Sequence, residues 1–230
     1  MRRFVIGDIH GAYKALMQCF ERSGFDRESD QLVCLGDVCD GWPDVPYVIE
    51  ELLHVQKLVY LLGNHDQWLL EYFLSGNAPG IWLMQGGSSS VRSYKNGVPA
   101  GHMELLKNAG LYHVVDNILF VHGGMIPGEP VEYQDEETLL WDRSLVYAAL
   151  DQAKKGSQVN LTGYDMVYVG HTPTINFGET QPIIACGVCL LDTGAGWSGG
   201  VLSMMDIDSR QYYQSDQVDQ LYKGIRGRNG

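Results

Sequence analysis

Apolar and polar positions follow two rhythms along the first third of the chain. Phe4-Val5-Ile6 is a short apolar run that reads as a buried strand, and "AYKALMQCFERSGF" then spaces Leu16, Phe20 and their neighbours along one helix face. Gln31 to Leu35 is a second strand, "DVPYVIEELLHV" a second helix and Leu58 to Leu62 a third strand. Strand–helix–strand–helix–strand with short, apolar strands predicts an α/β fold with a βαβαβ core, its parallel sheet covered on both faces. From residue 67 to about 117 the pattern is mostly helical and irregular, as expected of an insertion or cap over the sheet edge. Strand signals resume at Ile118 to Val121, Met166 to Val169 and Ile183 to Leu191, and Gly200 to Ile207 alternates like an antiparallel strand. No repeat or linker breaks the sequence, so a single domain over 1–230 is expected. The stretch from about 209 to 230 is read as a C-terminal tail, with "KGIRGRNG" frayed.

The apolar runs stop in a recurrent way. Gly7-Asp8-Ile9-His10-Gly11, Gly36-Asp37-Val38-Cys39-Asp40-Gly41 and Gly63-Asn64-His65-Asp66 follow the first three, and His122-Gly123-Gly124 and Gly170-His171-Thr172 follow two later ones. Open α/β sheets bind ligands beyond the carboxyl ends of their strands, and glycine permits the tight turns needed there, so these loops should converge. Carboxylate, imidazole and amide oxygen together suit divalent ions such as manganese, iron or zinc. Asp8 and His10 alternate along what reads as an extended segment, so both can face one ion while Ile9 enters the core. If two ions sit roughly 3.5–4 Å apart, one carboxylate must bridge them, and Asp37 in the central loop is the natural choice. Singly, Asp8 reads as a turn former and His171 as a hydrogen-bonded core histidine. Chance does not easily place Asp8, His10, Asp37, Asn64, His122 and His171 behind five separate strands. Asp66 is read as the cap of the helix in "QWLLEYF", and His54, His102 and His113, which match no motif, as surface residues.

Charge and cysteine content narrow the class of partner. With 16 basic and 28 acidic residues the formal charge is 16 − 28 = −12, which argues against broad binding to nucleic acid or an anionic membrane. A phosphate-bearing substrate stays open, because bound metal ions supply positive charge locally. Five cysteines in 230 residues make a disulfide scaffold a poor expectation and fit a reducing, cytoplasmic setting. Cys186 and Cys189 form a lone C-x-x-C, too few ligands for a four-coordinate zinc, and are read as core or surface thiols. The apolar run behind "MRR" is too short for a signal peptide or a membrane span.

Taken in order, "GDIHG", "GDVCDG", "GNHD", "HGG" and "GHT" resemble the calcineurin-like metallophosphoesterases. More narrowly, they resemble the bacterial PPP-type serine/threonine phosphatases and the related symmetrical diadenosine tetraphosphate hydrolases. "WLMQGGSSSVRSY", "LLWDRS" and "LLDTGAGWSGGVL" extend the likeness over residues 4 to 207. The resemblance implies a metallophosphoesterase-type β-sandwich flanked by helices, with a small helical cap insertion. It implies two divalent ions, manganese first with iron or zinc as alternatives: Asp8, His10 and Asp37 on one, and Asp37, Asn64, His122 and His171 on the other. His65 would be the general acid, oriented by Asp40, and Arg143 would clamp phosphate beside Asn64. A hydroxide formed at the metals would attack phosphorus directly, without a phosphoenzyme. Two of the pattern's arginines are missing, replaced by Gly41 and Leu62, and its usual glutamate is Asp66. Arg92 is a candidate substitute for the lost charge, and Trp42 is either a cleft wall or a core residue. The function expected is a metal-dependent phosphatase acting on phosphomonoesters, phosphoserine and phosphothreonine proteins foremost. Dinucleoside polyphosphate hydrolysis and a non-catalytic metal-binding regulatory module are the alternatives.

Overall fold

The computed structural model describes residues 1–228. In chain order, its first half contains β1 (Arg3–Ile6), α1 (Tyr13–Ser23), β2 (Gln31–Cys34), α2 (Val45–Leu53), β3 (Lys57–Tyr60), α3 (Asn64–Ser75), α4 (Gly80–Trp82), α5 (Ser88–Ser93), α6 (Ala100–Lys107), β4 (Tyr112–Val115) and β5 (Ile118–Val121). The second half adds α7 (Glu136–Trp141), α8 (Ser144–Lys154), β6 (Met166–Val169), β7 (Ile183–Ala185), β8 (Val188–Leu190), β9 (Ser203–Asp206), β10 (Tyr212–Gln214) and α9 (Val218–Leu221).

The strands form two five-stranded sheets, ordered β10-β9-β1-β2-β3 and β4-β5-β6-β8-β7. β1, β2 and β3 run parallel, as the βαβαβ pattern requires, with Val5 opposite Val33 and Val33 opposite Val59. β5, β6 and β8 form a second parallel set, edged by antiparallel β4 and β7. Period-two alternation sends the strands' side chains to different layers. Phe4 and Ile6 of β1 pack with the buried faces of α1 and α2, whereas Val5 joins Val33, Phe120, Tyr168 and Met205 between the sheets. Leu119 and Val121 of β5 point outward to Leu145, Val146 and Ala149 of α8. Phe120 and Tyr168 stack at 5.2 Å across adjacent strands, facing the first sheet. The result is helices, sheet, sheet, helices, an α/β metallophosphoesterase-type sandwich.

Several details differ from the sequence reading. The run Ile183 to Leu191 is a hairpin, β7 and β8, turning at Cys186-Gly187 with φ of 48° and 83°. β4 lies inside the stretch read as helical and irregular. It pairs with β5 through the two-residue turn Asp116-Asn117, both at positive φ, a hairpin signal carried without glycine. His102 is not on the surface: it is buried, with Nδ1 3.0 Å from the Tyr94 hydroxyl and Nε2 3.2 Å from Glu50. Trp42 belongs to the core, stacked on Tyr222 and donating from Nε1 to the Ala195 carbonyl at 2.7 Å. Cys186 and Cys189 are buried free thiols. The stretch expected to fray is folded over its described part: Ile225 N–H donates to Tyr222 and Arg228 N–H to Gly196. Its last two residues, Asn229 and Gly230, lie outside the described residues. No helix among the described residues is long and apolar enough to cross a membrane.

Candidate metal centre

Five strand ends meet at one buried point. β1 delivers Asp8 and His10, β2 Asp37 and Asp40, and β5 and β6 His122 and His171; Asn64 and His65 open α3 just after β3. His10 does not continue an extended segment. Its φ is 51°, and Asp37, Asp40 and His171 are also left-handed at 50°, 70° and 62°. Non-glycine residues seldom hold such angles unless the surroundings over-determine them, and four of them here mark the point where the loops turn inward. Ile9 is buried in the core, as expected. Gly63 itself is extended, with φ −95° and ψ 164°. What requires glycine there is space, because a Cβ would lie 2.1 Å from Asp37 Oδ1.

The donor atoms face one another in two groups that share Asp37. Asp8, His10 and Asp37 form one, and Asp37, His122 and His171 the other, each with its candidate ligand atoms within 4.8 Å of one another. Each of these histidines has one ring nitrogen against a backbone carbonyl: His10 Nδ1 to Cys39 at 2.8 Å, His122 Nδ1 to Leu35 at 2.9 Å and His171 Nε2 to Trp141 at 3.2 Å. Donation there leaves the other nitrogen as a lone pair, the arrangement that orients metal-binding imidazoles. His122 Nε2 then lies 3.0 Å from Asn64 Oδ1 and 3.5 Å from Asp37 Oδ2, so three acceptors converge. Burial lowers the pKa of His10, His122 and His171, favouring the neutral ring that ligates.

The carboxylates describe the same demand for positive charge. Burial, then repulsion from Asp192 and Asp37, pushes Asp8 well above the carboxylate range. Burial pushes Asp192 up to about 6, and its Oδ2 is buried with no hydrogen-bond partner among the described residues. Burial also works to raise Asp37, but His122, His65, His10 and Arg228 outweigh it and hold the group low. Clustered buried acids with an unpartnered oxygen, facing unprotonated imidazoles, fit divalent cations. The two clusters therefore form a candidate dinuclear metal site.

Beside it stands a pair that needs no metal. His65 Nδ1 lies 2.6 Å from Asp40 Oδ2, and the same oxygen accepts from Trp82 Nε1 at 2.6 Å. Ser90 Oγ donates to Asp40 Oδ1 at 2.6 Å. The 80–93 segment thus holds Asp40, which in turn holds His65. Trp68 meets the His65 ring edge-on at 5.2 Å, and Trp141 meets His171 at 5.8 Å. Asp66 caps α3 through Gly63 N–H and also accepts from Val38 N–H and the Tyr60 hydroxyl, so it ties the second and third loops together. Burial pushes its pKa up to about 7.

Not every expected residue takes part equally. Arg143 is half-buried and near enough for its charge to lower His122 and His171, but it makes no side-chain hydrogen bond among the described residues. Arg92 is exposed and contacts none of these donors by hydrogen bond. Four contributors escaped the sequence reading: Asp192, Trp82, Ser90 and Arg228. Arg228 places Nη1 3.1 Å from His10 Nε2 and Nη2 2.5 Å from His65 Nε2. Asp192 did carry a signal, following β8 as Asp8 follows β1.

Residues 1–212 match the family profile described as calcineurin-like phosphoesterase. The chain is 26% identical to Serine/threonine-protein phosphatase 1 of Salmonella typhimurium over 205 residues, 85% of this chain and 88% of that protein. It is 25% identical to Bis(5'-nucleosyl)-tetraphosphatase PrpE [asymmetrical] of Anoxybacillus flavithermus over 228 residues, 87% of this chain and 88% of that one. In fold it is similar to the crystal structure of a provisionally named diadenosine tetraphosphatase, with TM-score 0.66 and 19% identity over 100% of this chain and 95% of the other.

Proposed function

The chain belongs to the calcineurin-like phosphoesterase family, and from that premise we propose a dinuclear metal-dependent phosphoesterase whose first substrate class is the dinucleoside polyphosphates. Asp8, His10 and Asp37 would hold one ion, and Asp37, Asn64, His122 and His171 the other, with manganese the first candidate. Bound ions supply Lewis-acid charge stabilisation and lower the pKa of water. The chain's own residues do the rest. Once Arg228 moves off its Nε2, His65 would carry the proton for the leaving oxygen there, while Asp40 fixes the ring through Nδ1. Trp82 and Ser90 keep Asp40 from rotating away, and Arg143 and Asn64 contact the phosphoryl oxygens.

The observation that carries a catalytic reading is the His65–Asp40 contact at 2.6 Å inside a cage of Trp82 and Ser90. A module that only bound metal would have no use for it. For the substrate, several relatives matched over nearly nine-tenths of their length are named bis(5'-nucleosyl)-tetraphosphatases. Phosphoserine and phosphothreonine hydrolysis is the second reading, favoured by the likeness to the Salmonella phosphatase.

The test strips the protein with chelator, restores Mn²⁺, and offers a dinucleoside tetraphosphate, a phosphoserine peptide and an aryl phosphate. The expected result is metal-dependent cleavage of the dinucleotide. The His65→Asn variant should keep its metals and fall by on the order of 10²-fold or more in rate. Products separate a symmetrical cut, giving two diphosphates, from an asymmetrical one, giving a mono- and a triphosphate. Hydrolysis of the monoesters alone would move the assignment to the second reading. Silence on all three with both metals bound would refute catalysis.

A further inference from the structure

Arg228 reaches the metal centre through a passage made of glycines. Its backbone N–H donates to Gly196 O at 2.8 Å and its Nε to Gln85 O at 3.2 Å, while Trp197 lies under the guanidinium at 5.1 Å. A Cβ on Gly41 or Gly86 would come within 3.1 Å of Arg228 Cγ, and one on Gly196 within 2.7 Å of Cδ. Three separate loops therefore leave out a side chain where this one passes. The space left by Gly41 is filled by an arginine arriving from far along the chain.

Where the guanidinium ends is as informative as how it gets there. Its two terminal nitrogens contact His10 Nε2, facing the first metal cluster, and His65 Nε2, facing the leaving oxygen in the reading above. Both ring nitrogens accept from the guanidinium here; with an ion on His10 and a proton on His65 the fork is released beside them, and its planar set of N–H donors matches the oxygens of a phosphoryl group two at a time. Behind Arg228 opens a cleft of about 390 Å³, lined among others by Arg92, Arg226 and Arg228. Arg92 and Arg226 are exposed and have no ion-pair partner among the described residues. In a chain of net charge −12, three of the 16 basic residues share this one cleft. Such a local reversal of sign concentrates an anion where the rest of the surface repels it.

We propose that residues 226–228, with Arg92, form the subsite for a chain of phosphates: Arg228 holds the phosphoryl group at the metal centre, and Arg226 and Arg92 hold the phosphates beyond it. The proposal rests on the phosphoesterase reading for where the reacting phosphorus lies. It adds the residues that select a polyphosphate over a monoester, on a segment the sequence reading expected to fray.

Binding of AMP, ADP and ATP to the metal-loaded protein, followed by calorimetry with Mn²⁺ in excess over nucleotide, tests it without requiring turnover. Affinity should climb from AMP to ATP. Arg228→Ala should weaken all three by about tenfold or more, and Arg92→Ala combined with Arg226→Ala should weaken ATP by about tenfold or more, flattening the series. Arg228→Lys, which keeps the charge but loses the fork, should fall between wild type and Arg228→Ala. Lys154→Ala, a charge loss on the exposed end of α8, should change nothing. A flat series in the wild type, or arginine variants that behave like Lys154→Ala, would overturn the proposal. Tighter binding in Arg228→Ala would make the residue a plug instead, and metal loss in that variant, read by elemental analysis, would make it a prop for His10; either result refutes the clamp. Graded binding without hydrolysis of any substrate would sink the phosphoesterase reading and leave the subsite standing, and dinucleotide turnover with flat binding would do the reverse.

Discussion

Asp37 is the residue on which both clusters depend. Its carboxylate is buried, lies within reach of His10 and His122, and accepts the N–H of His65 at 2.9 Å. Asp37→Asn keeps the shape and removes the shared charge, so both ions should be lost together. Elemental analysis that still finds two metals per chain would contradict a bridging role. Residues such as Asp8, His10, Asp37, His122 and His171 were legible in the sequence because each follows its apolar run within a few positions and needs only a local turn to reach the site. Trp82 and Ser90 act on Asp40 from 42 and 50 residues away, and Arg228 acts on His65 from 163. No periodicity connects such pairs, and only the packed chain brings them together. His102 illustrates the converse: without a motif it looked like a surface residue, yet Tyr94 and Glu50 satisfy its two nitrogens in the interior.

At the scale of elements, the parallel core was readable because β1, β2 and β3 are each apolar behind one polar first residue and are separated by helices of clear periodicity. β4 was not, since its Asp116-Asn117 turn lacks the glycine that usually announces a hairpin. The entry into β2 is held by a charge pair that makes its stability depend on pH. Asp30 accepts Arg2 N–H at 2.9 Å, Arg2 Nη2 at 2.5 Å and Asp26 N–H at 3.1 Å. Burial acts to raise the Asp30 pKa, but the bonds from Arg2 and Asp26 prevail and lower it. A carboxylate lowered on folding contributes stability above its unfolded pKa of about 3.9 and loses it as pH falls through the folded value. Asp30→Asn should therefore cost about 1 kcal/mol or less at pH 7, because Arg2 is partly exposed and water screens the pair. Urea midpoints of variant and wild type should converge as the pH drops below 3.9. A gap that persists in acid would show that the loss lies in packing and not in charge.

For the whole molecule, a centre of buried acids in a chain of charge −12 makes metal loading a matter of stability as well as of chemistry. An ion that binds only the folded state adds about 2.7 kcal/mol at a hundredfold excess over its Kd, worth roughly 5–10 °C in Tm for a chain of this size. Thermal melts with chelator and with Mn²⁺ should differ by about that much. Equal melting temperatures would mean that the clusters do not hold ions in the native state. The same centre is ringed by aromatic side chains. Trp82 is bonded to Asp40, Trp68 abuts His65, Trp141 faces His171, Trp197 lies beneath Arg228, and Trp42 packs against Gly227. These are all five tryptophans of the chain. Tryptophan emission, excited selectively over the 13 tyrosines, is consequently weighted towards the centre, and quenching by a paramagnetic ion will trace occupancy in unlabelled protein, with no substrate present.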